Sequence, residues 1–192
     1  MLIAITGGIG SGKSVVSKVL ATMGYPVYDT DSEARRLMNT DARVREALIQ
    51  AFGPEVFAPD GNLNRAGLAS KVFNSPEALQ LLNGIVHPAV RDDVKHWCQS
   101  QASPIAFVET AILHQSKMDT MVDAVWTVTA PMQVRIERVM QRSGLTASQV
   151  ADRIRSQQAE EGKADVVIVN DGEQAILPQI VQALQAPEPC KC

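Results

Sequence analysis

The stretch Gly7-Gly-Ile-Gly-Ser-Gly-Lys13-Ser14 constrains the fold of this chain more than any other feature. It matches G-x-x-x-x-G-K-[ST] in full, and its context fits. An apolar, strand-length run from Leu2 to Thr6 precedes it, and a helical pattern follows from Lys13. Glycines let the backbone curl around phosphate oxygens and turn successive N–H groups inward, while the following helix adds the positive end of its dipole. The motif therefore predicts a phosphate-binding loop in which Gly8, Gly10, Ser11, Gly12, Lys13, Ser14 and Val15 hold a nucleoside triphosphate. Lys13 is placed to reach the β- and γ-phosphates, and the Ser14 hydroxyl to ligate Mg²⁺.

Along the rest of the chain, short apolar runs alternate with longer helical patterns. Strands are expected at 2–6, 26–28, 105–108, 124–129 and 166–169. Helices are expected near 12–22, 32–51, 65–73, 76–101, 131–142, 146–160 and 173–185. Start signals precede three of them: Asn74-Ser75-Pro76, Ala130-Pro131 and Thr146. Continuously apolar, β-branched strands between helices imply a doubly wound parallel sheet of about five strands, an α/β fold of the P-loop NTPase type. The alternation fails between the second and third strands, where approximately 32–101 reads as helical apart from a Gly/Pro break at 53–61. One crossover helix cannot account for that length, so a helical subdomain beside the sheet is expected. The whole chain, 1–192, is read as one domain with that insertion.

Composition narrows the function classes. The chain of 192 residues is 45% hydrophobic and carries a formal net charge of −3. Binding to long nucleic acids is thereby disfavoured, since it usually needs a basic face. Cys98, Cys190 and Cys192 contain no C-x-x-C pair, which argues against a disulfide framework or a structural zinc site. Cys98 is expected to be a buried helix residue, and the other two to be thiols on a frayed tail. The apolar start is too short for a signal-peptide core and no membrane span is evident, so a cytoplasmic location is expected.

Several residues carry possible chemistry beyond the loop. Asp29 and Asp31 flank Thr30 at the carboxyl end of the second strand, the edge where ligands bind in open α/β sheets. A carboxylate there can accept a proton from an attacking hydroxyl or support a metal, and Asp31 or Ser32 can equally cap the helix that follows. Glu109 ends the third strand, either supporting the metal or facing solvent. Arg135, Arg138 and Arg142 recur at spacings of three and four on one helix face, followed by Arg153 and Arg155. They suit a lid over approximately 131–163 that clamps phosphate charge, or a solvated face paired with Glu137 and Asp152.

Further sequence landmarks complete a pattern. These are Val27-Tyr-Asp-Thr-Asp31 with Ala34-Arg35, Leu63-Asn-Arg65, Val72-Phe73, Ile85-Val-His-Pro88, and Arg138 to Arg142 with Gly144-Leu145. Arg153-Ile with Gln157, and Ala164-Asp165 leading to Ile168-Val-Asn170, follow. In order and spacing they resemble the dephospho-coenzyme A kinases over nearly the whole chain. The resemblance implies transfer of the ATP γ-phosphate to the ribose 3′-hydroxyl of dephospho-coenzyme A, the last step of coenzyme A synthesis. It implies Asp31 as catalytic base, Lys13 as stabiliser of the transferred group, and Arg138 and Arg142 as lid arginines. Asp29, Arg65, His87 and Arg91 fall on substrate-binding positions, although His87 before Pro88 also suits a packed helix histidine. One departure is clear. The family usually reads Pro-Leu-Leu-Phe-Glu after the third strand, whereas this chain reads Ala111-Ile-Leu-His-Gln115, with Gln115 in place of the acid and His114 in place of an aromatic. Other small-molecule kinases, for nucleoside monophosphates, shikimate or gluconate, share such a core but not the Leu-Asn-Arg and His-Pro landmarks. A guanine-nucleotide switch needs Asn-Lys-x-Asp, which Asn170-Asp-Gly172 does not supply. A non-catalytic nucleotide-binding protein sits poorly with intact Lys13, Ser14 and Asp31.

Overall fold

The computed structural model describes residues 1–73, 75–156 and 163–185. Five strands, β1 (Leu2–Thr6), β2 (Val27–Asp29), β3 (Ala106–Glu109), β4 (Ala124–Thr129) and β5 (Val166–Val169), form one sheet in the order β2-β3-β1-β4-β5. The register runs parallel, with Ile3 beside Phe107 and Ala124, and Trp126 beside Val166. β1 is central and all five of its residues are buried, which is why it reads as an unbroken apolar run. Its successor in the chain, β2, lies on one side and β4 on the other. The connections therefore leave in opposite directions, opening a crevice at the carboxyl end of β1, where the glycine loop begins.

Local signals end α1 and start α7 in this α/β unit. α1 (Lys13–Thr22) stops in a Schellman turn at Gly24: Tyr25 N–H donates to Leu20 O at 3.1 Å and Gly24 N–H to Ala21 O at 3.0 Å. Gly24 has φ 92°, open to glycine at no steric cost, and the turn delivers the chain into β2. α1 and α8 (Ile176–Gln185) cover one sheet face with Val16, Leu20 and Ile180 against Ile3, Ile5, Trp126 and Ile168. Phe107 sits at the middle of this core, edge-on to Tyr25 and Trp126. α6 (Met132–Ser143) and α7 (Ala147–Ser156) bury Val139, Val150 and Ile154 in a smaller cluster. α7 begins with a capping box: Gln149 N–H meets Thr146 Oγ1 and Thr146 N–H meets Gln149 Oε1. The expected continuation of this helix to 160, together with Gln157, Cys190 and Cys192, lies outside the described residues.

Residues Asp29–Ser100 make a second compact unit. It contains α2 (Thr30–Thr40), α3 (Ala42–Phe52), α4 (Arg65–Val72) and α5 (Pro76–Gln99) around Leu48, Phe52, Val56, Leu63 and Leu68. The single helix expected over 32–51 is two. Asp41 breaks it with ψ 120°, ending α2 and capping α3 by accepting from Arg43 and Val44 N–H. The Gly/Pro break holds a short 3₁₀ turn, Pro54–Val56, and a bridge between Phe57 and Leu63. α5 starts where Ser75 and Pro76 predict, with Ser75 Oγ accepting from Ala78 N–H, and it runs through Pro88. Arg36 ties α2 to α5, donating to Glu33 and, at 2.6 Å, to Asp93. Cys98 is half-buried on α5 rather than buried. No helix among the described residues is long and apolar enough to cross a membrane.

Candidate active site at the glycine loop

The loop between β1 and α1 owes its shape to glycine. Gly12 caps α1 in the left-handed region, φ 94° and ψ 30°, and no side chain accepts from the first turn. A Cβ on Gly12 would be strained and would also overlap Asn170 Nδ2. The helix N-terminus thus has no acidic or hydroxyl group of its own occupying it, the condition for receiving an external anion. Lys13 Nζ folds across the loop to donate to Gly7 O at 2.8 Å, which holds the ammonium over the backbone curve. Ser14 and Val15 are exposed at the start of α1, whereas Ser11 is buried with its Oγ unpartnered among the described residues.

Two further elements brace this loop. Asn170, just past β5, donates from Nδ2 to Ser11 O at 2.9 Å, while its own N–H is held by Thr129 O. Arg138 on α6 donates to Asn170 O at 2.9 Å and Asn170 Oδ1 at 3.3 Å. Arg135, one turn earlier, donates from Nε to Ile9 O at 2.9 Å. Of the arginine face, then, Arg135 and Arg138 turn inward to the loop and strand ends, and Arg142, a turn later, is exposed. Arg155 pairs with Asp152 on α7, as a solvated face would, and Glu137 bonds Gln133 rather than an arginine. In the sequence Asn170 only ends a landmark, and its contact with the loop was not anticipated; its one signal there is a polar residue closing an apolar strand at the ligand edge of the sheet.

Glu109 is the last residue of β3, half-buried and in register with Ile5, next to where the loop leaves β1. A serine hydroxyl at the head of α1 and a carboxylate at the adjacent strand end are hard oxygen donors, suited to Mg²⁺ completed by phosphate oxygens and water. The segment after β3 buries Leu113 and Met118, while His114 and Gln115 lie toward the surface. Gln115 is exposed, and His114 Nδ1 lies 3.1 Å from Asp119 Oδ2.

In the second unit, the carboxylate that caps α2 is Asp29, neither Asp31 nor Ser32. Its Oδ1 accepts from Asp31 and Ser32 N–H, and its Oδ2 accepts the Ser32 hydroxyl at 2.6 Å. The helix consequently starts at Thr30, two residues before the sequence pattern suggests. Asp31 is left in the first turn with its carboxylate uncommitted to capping, and it is exposed. His87 and Arg91 are one turn apart on α5, both half-buried. Burial, and then the nearby Arg91 charge, hold the His87 imidazole below its usual pKa. Arg65 opens α4 and is exposed, with Asn64 beside it capping through Gly67 N–H.

A sequence-family model for dephospho-CoA kinase matches residues 1–175. The chain belongs to the dephospho-CoA kinase family. A dephospho-CoA kinase from Bacteroides fragilis is 41% identical over 186 residues, 95% of this chain and 90% of that protein. The crystal structure of TT1252 from Thermus thermophilus superposes with TM-score 0.82 at 35% identity, covering 96% of this chain and 95% of that one. A shikimate kinase from Bacteroides thetaiotaomicron, at 15% identity and TM-score 0.55, shares the fold alone. Membership of the dephospho-CoA kinase family makes this chain a P-loop kinase, an ATP-using enzyme of a type that generally needs a divalent metal.

Proposed function

We propose that this protein phosphorylates the ribose 3′-hydroxyl of dephospho-coenzyme A with ATP, using the glycine loop for the triphosphate and Asp31 as base. The uncapped, glycine-shaped N-terminus of α1 with Lys13 folded over it is the observation that carries the reading. In the proposed step, the 3′-oxygen forms a bond to the γ-phosphorus as the bond from that phosphorus to the β,γ-bridging oxygen breaks. ADP leaves, and the hydroxyl proton passes to the Asp31 carboxylate. Gly8, Gly10, Ser11, Gly12, Lys13, Ser14 and Val15 surround the triphosphate, and Lys13 offsets the charge gathering on the transferred group. Mg²⁺, held through Ser14 with support from Glu109, would neutralise phosphate charge when bound. Arg138 and Arg142 serve the triphosphate from the α6–α7 side, with 131–163 as lid. Asp29, Arg65, His87 and Arg91 belong to the acceptor side, with the helical unit as substrate domain.

Asp31 supports this assignment because Asp29 already performs the capping that would otherwise explain an acid here. A coupled ADP-release assay with dephospho-coenzyme A, adenosine monophosphate, shikimate and gluconate as acceptors tests the reading. Turnover with dephospho-coenzyme A at least about a hundredfold above the others is expected, since a site built around a substrate's polar groups rejects molecules lacking them strongly. Equal or better turnover of another acceptor would overturn it.

A further inference from the structure

The side chain of Ile9, midway along the glycine loop, is partly buried against α6 and α7. It packs with Val139, Val150 and Ile154, among Ile136 and Leu145, in the core that α6 and α7 share. The carbonyl of the same residue accepts from Arg135 Nε at 2.9 Å. α6 also approaches the loop backbone directly: a Cβ on Gly10 would stand 2.6 Å from Arg135 O and 3.0 Å from Val139 Cγ2, and one on Gly8 would overlap Arg135 Nη2. One loop residue is thereby held twice from the α6–α7 side, once through its side chain and once through its backbone.

We infer that Ile9 and Arg135 form a two-point joint that seats the α6–α7 pair on the glycine loop and so positions Arg138 for the reaction. The α6–α7 core is small, with three fully buried residues, Val139, Val150 and Ile154, so an isoleucine inserted from outside is a large share of what holds it together. Arg138 lies one turn along α6 from Arg135 and reaches Asn170, which itself holds Ser11 O. A shift of α6 on the loop therefore moves Arg138 and slackens the brace on Ser11 together. Ile9 and Arg135 are positioning residues in this scheme, acting through Arg138 and the loop backbone. The inference rests on the glycine loop being the nucleotide site.

The test uses the full chain with Ile9→Ala, Ile9→Val, Arg135→Gln and Arg135→Lys, read by hydrogen exchange and by steady-state kinetics. Without nucleotide, Ile9→Ala and Arg135→Gln should speed amide exchange in 147–156 by about tenfold while β1 and β4 keep parental protection. The same variants should lower kcat by about tenfold with the KM for dephospho-coenzyme A within about twofold of the parent, as expected when a transition-state contact is misplaced. Ile9→Val, which keeps the branched side chain, should recover most of both effects. Arg135→Lys should recover less, because a lysine cannot reproduce the guanidinium's Nε contact. Parental exchange in 147–156 for both Ile9→Ala and Arg135→Gln overturns the joint. Faster exchange with unchanged kcat overturns its positioning role. Should Ile9→Ala fail to fold, Arg135→Gln carries both readouts alone. A parent inactive with dephospho-coenzyme A would instead overturn the proposed reaction, leaving the exchange result to decide the joint.

Discussion

The helices that follow the first two strands, α1 and α2, begin in opposite ways. α1 follows β1 through Gly12, which has no side chain to offer, and its first turn accepts no internal cap. α2 follows β2 through Asp29, whose carboxylate takes Asp31 N–H, Ser32 N–H and the Ser32 hydroxyl. Both helix ends present the same orphaned donors and the same positive dipole end. A glycine leaves those donors to an outside anion; an aspartate spends them within the chain and fixes a negative charge there. One N-terminus is left open, as the proposed phosphate receptor needs, and the other is closed by its own aspartate, with Asp31 beside the cap.

The largest expected effect breaks the receptor. Lys13→Ala should cut turnover by about a hundredfold or more while the fold survives, if Lys13 acts as proposed on charge that develops during transfer. Near-parental turnover in a folded Lys13→Ala protein would remove the loop from the chemistry. Asp31→Asn probes the mounted acid. Because Asp29 does the capping, the melting temperature should stay within a degree or two, whereas kcat should drop by roughly a hundred- to ten-thousand-fold if Asp31 takes the proton. Turnover within a few-fold of the parent would sink the base assignment.

Smaller effects sharpen the contrast. Asp29→Ala should cost about 1 kcal/mol of stability in chemical denaturation, and Asp29→Asn much less, because Asn caps nearly as well. An equal loss in both would mean that the charge, not the cap, matters at Asp29. The smallest expected effect concerns acid. With its folded pKa lowered, His87 contributes stability that is whole above its unfolded value near 6.5 and is lost as pH falls below that through the folded pKa. Between about pH 7.5 and 5, the melting temperature should therefore fall somewhat more steeply in the parent than in His87→Gln. Identical slopes would show that His87 titrates alike in both states.

Much of this was legible in the residues because it is local. The glycine loop, the apolar strands and the starts of α5 and α7 are each written within a few consecutive positions, where steric and capping rules act directly. Strands 124–129 and 166–169 agree with β4 and β5 residue for residue. Local rules also had ambiguities they could not break. Local rules point to Asp31 or Ser32 as the cap of the helix after the second strand, and only the turn actually taken gives that role to Asp29. Residue 41 is polar in an otherwise continuous helical pattern, and nothing in periodicity alone distinguishes an exposed aspartate from one that ends a helix and caps the next.

By itself, then, the sequence determined that β1 and α1 enclose a phosphate loop, that a parallel sheet supports it, and that the chain is a kinase of one family. Tertiary structure alone decided which distant side chains brace the loop. Asn170 meets Ser11 across 159 positions and Arg135 meets Ile9 across 126. On the helix Arg135, Arg138 and Arg142 look alike, since spacing places residues on a face but not against a partner. Packing of α6 on Ile9 and Gly10 turns two of them inward and leaves the third in solvent. Contacts of that range depend on where whole elements come to rest, and the residues near each partner in sequence carry no trace of it.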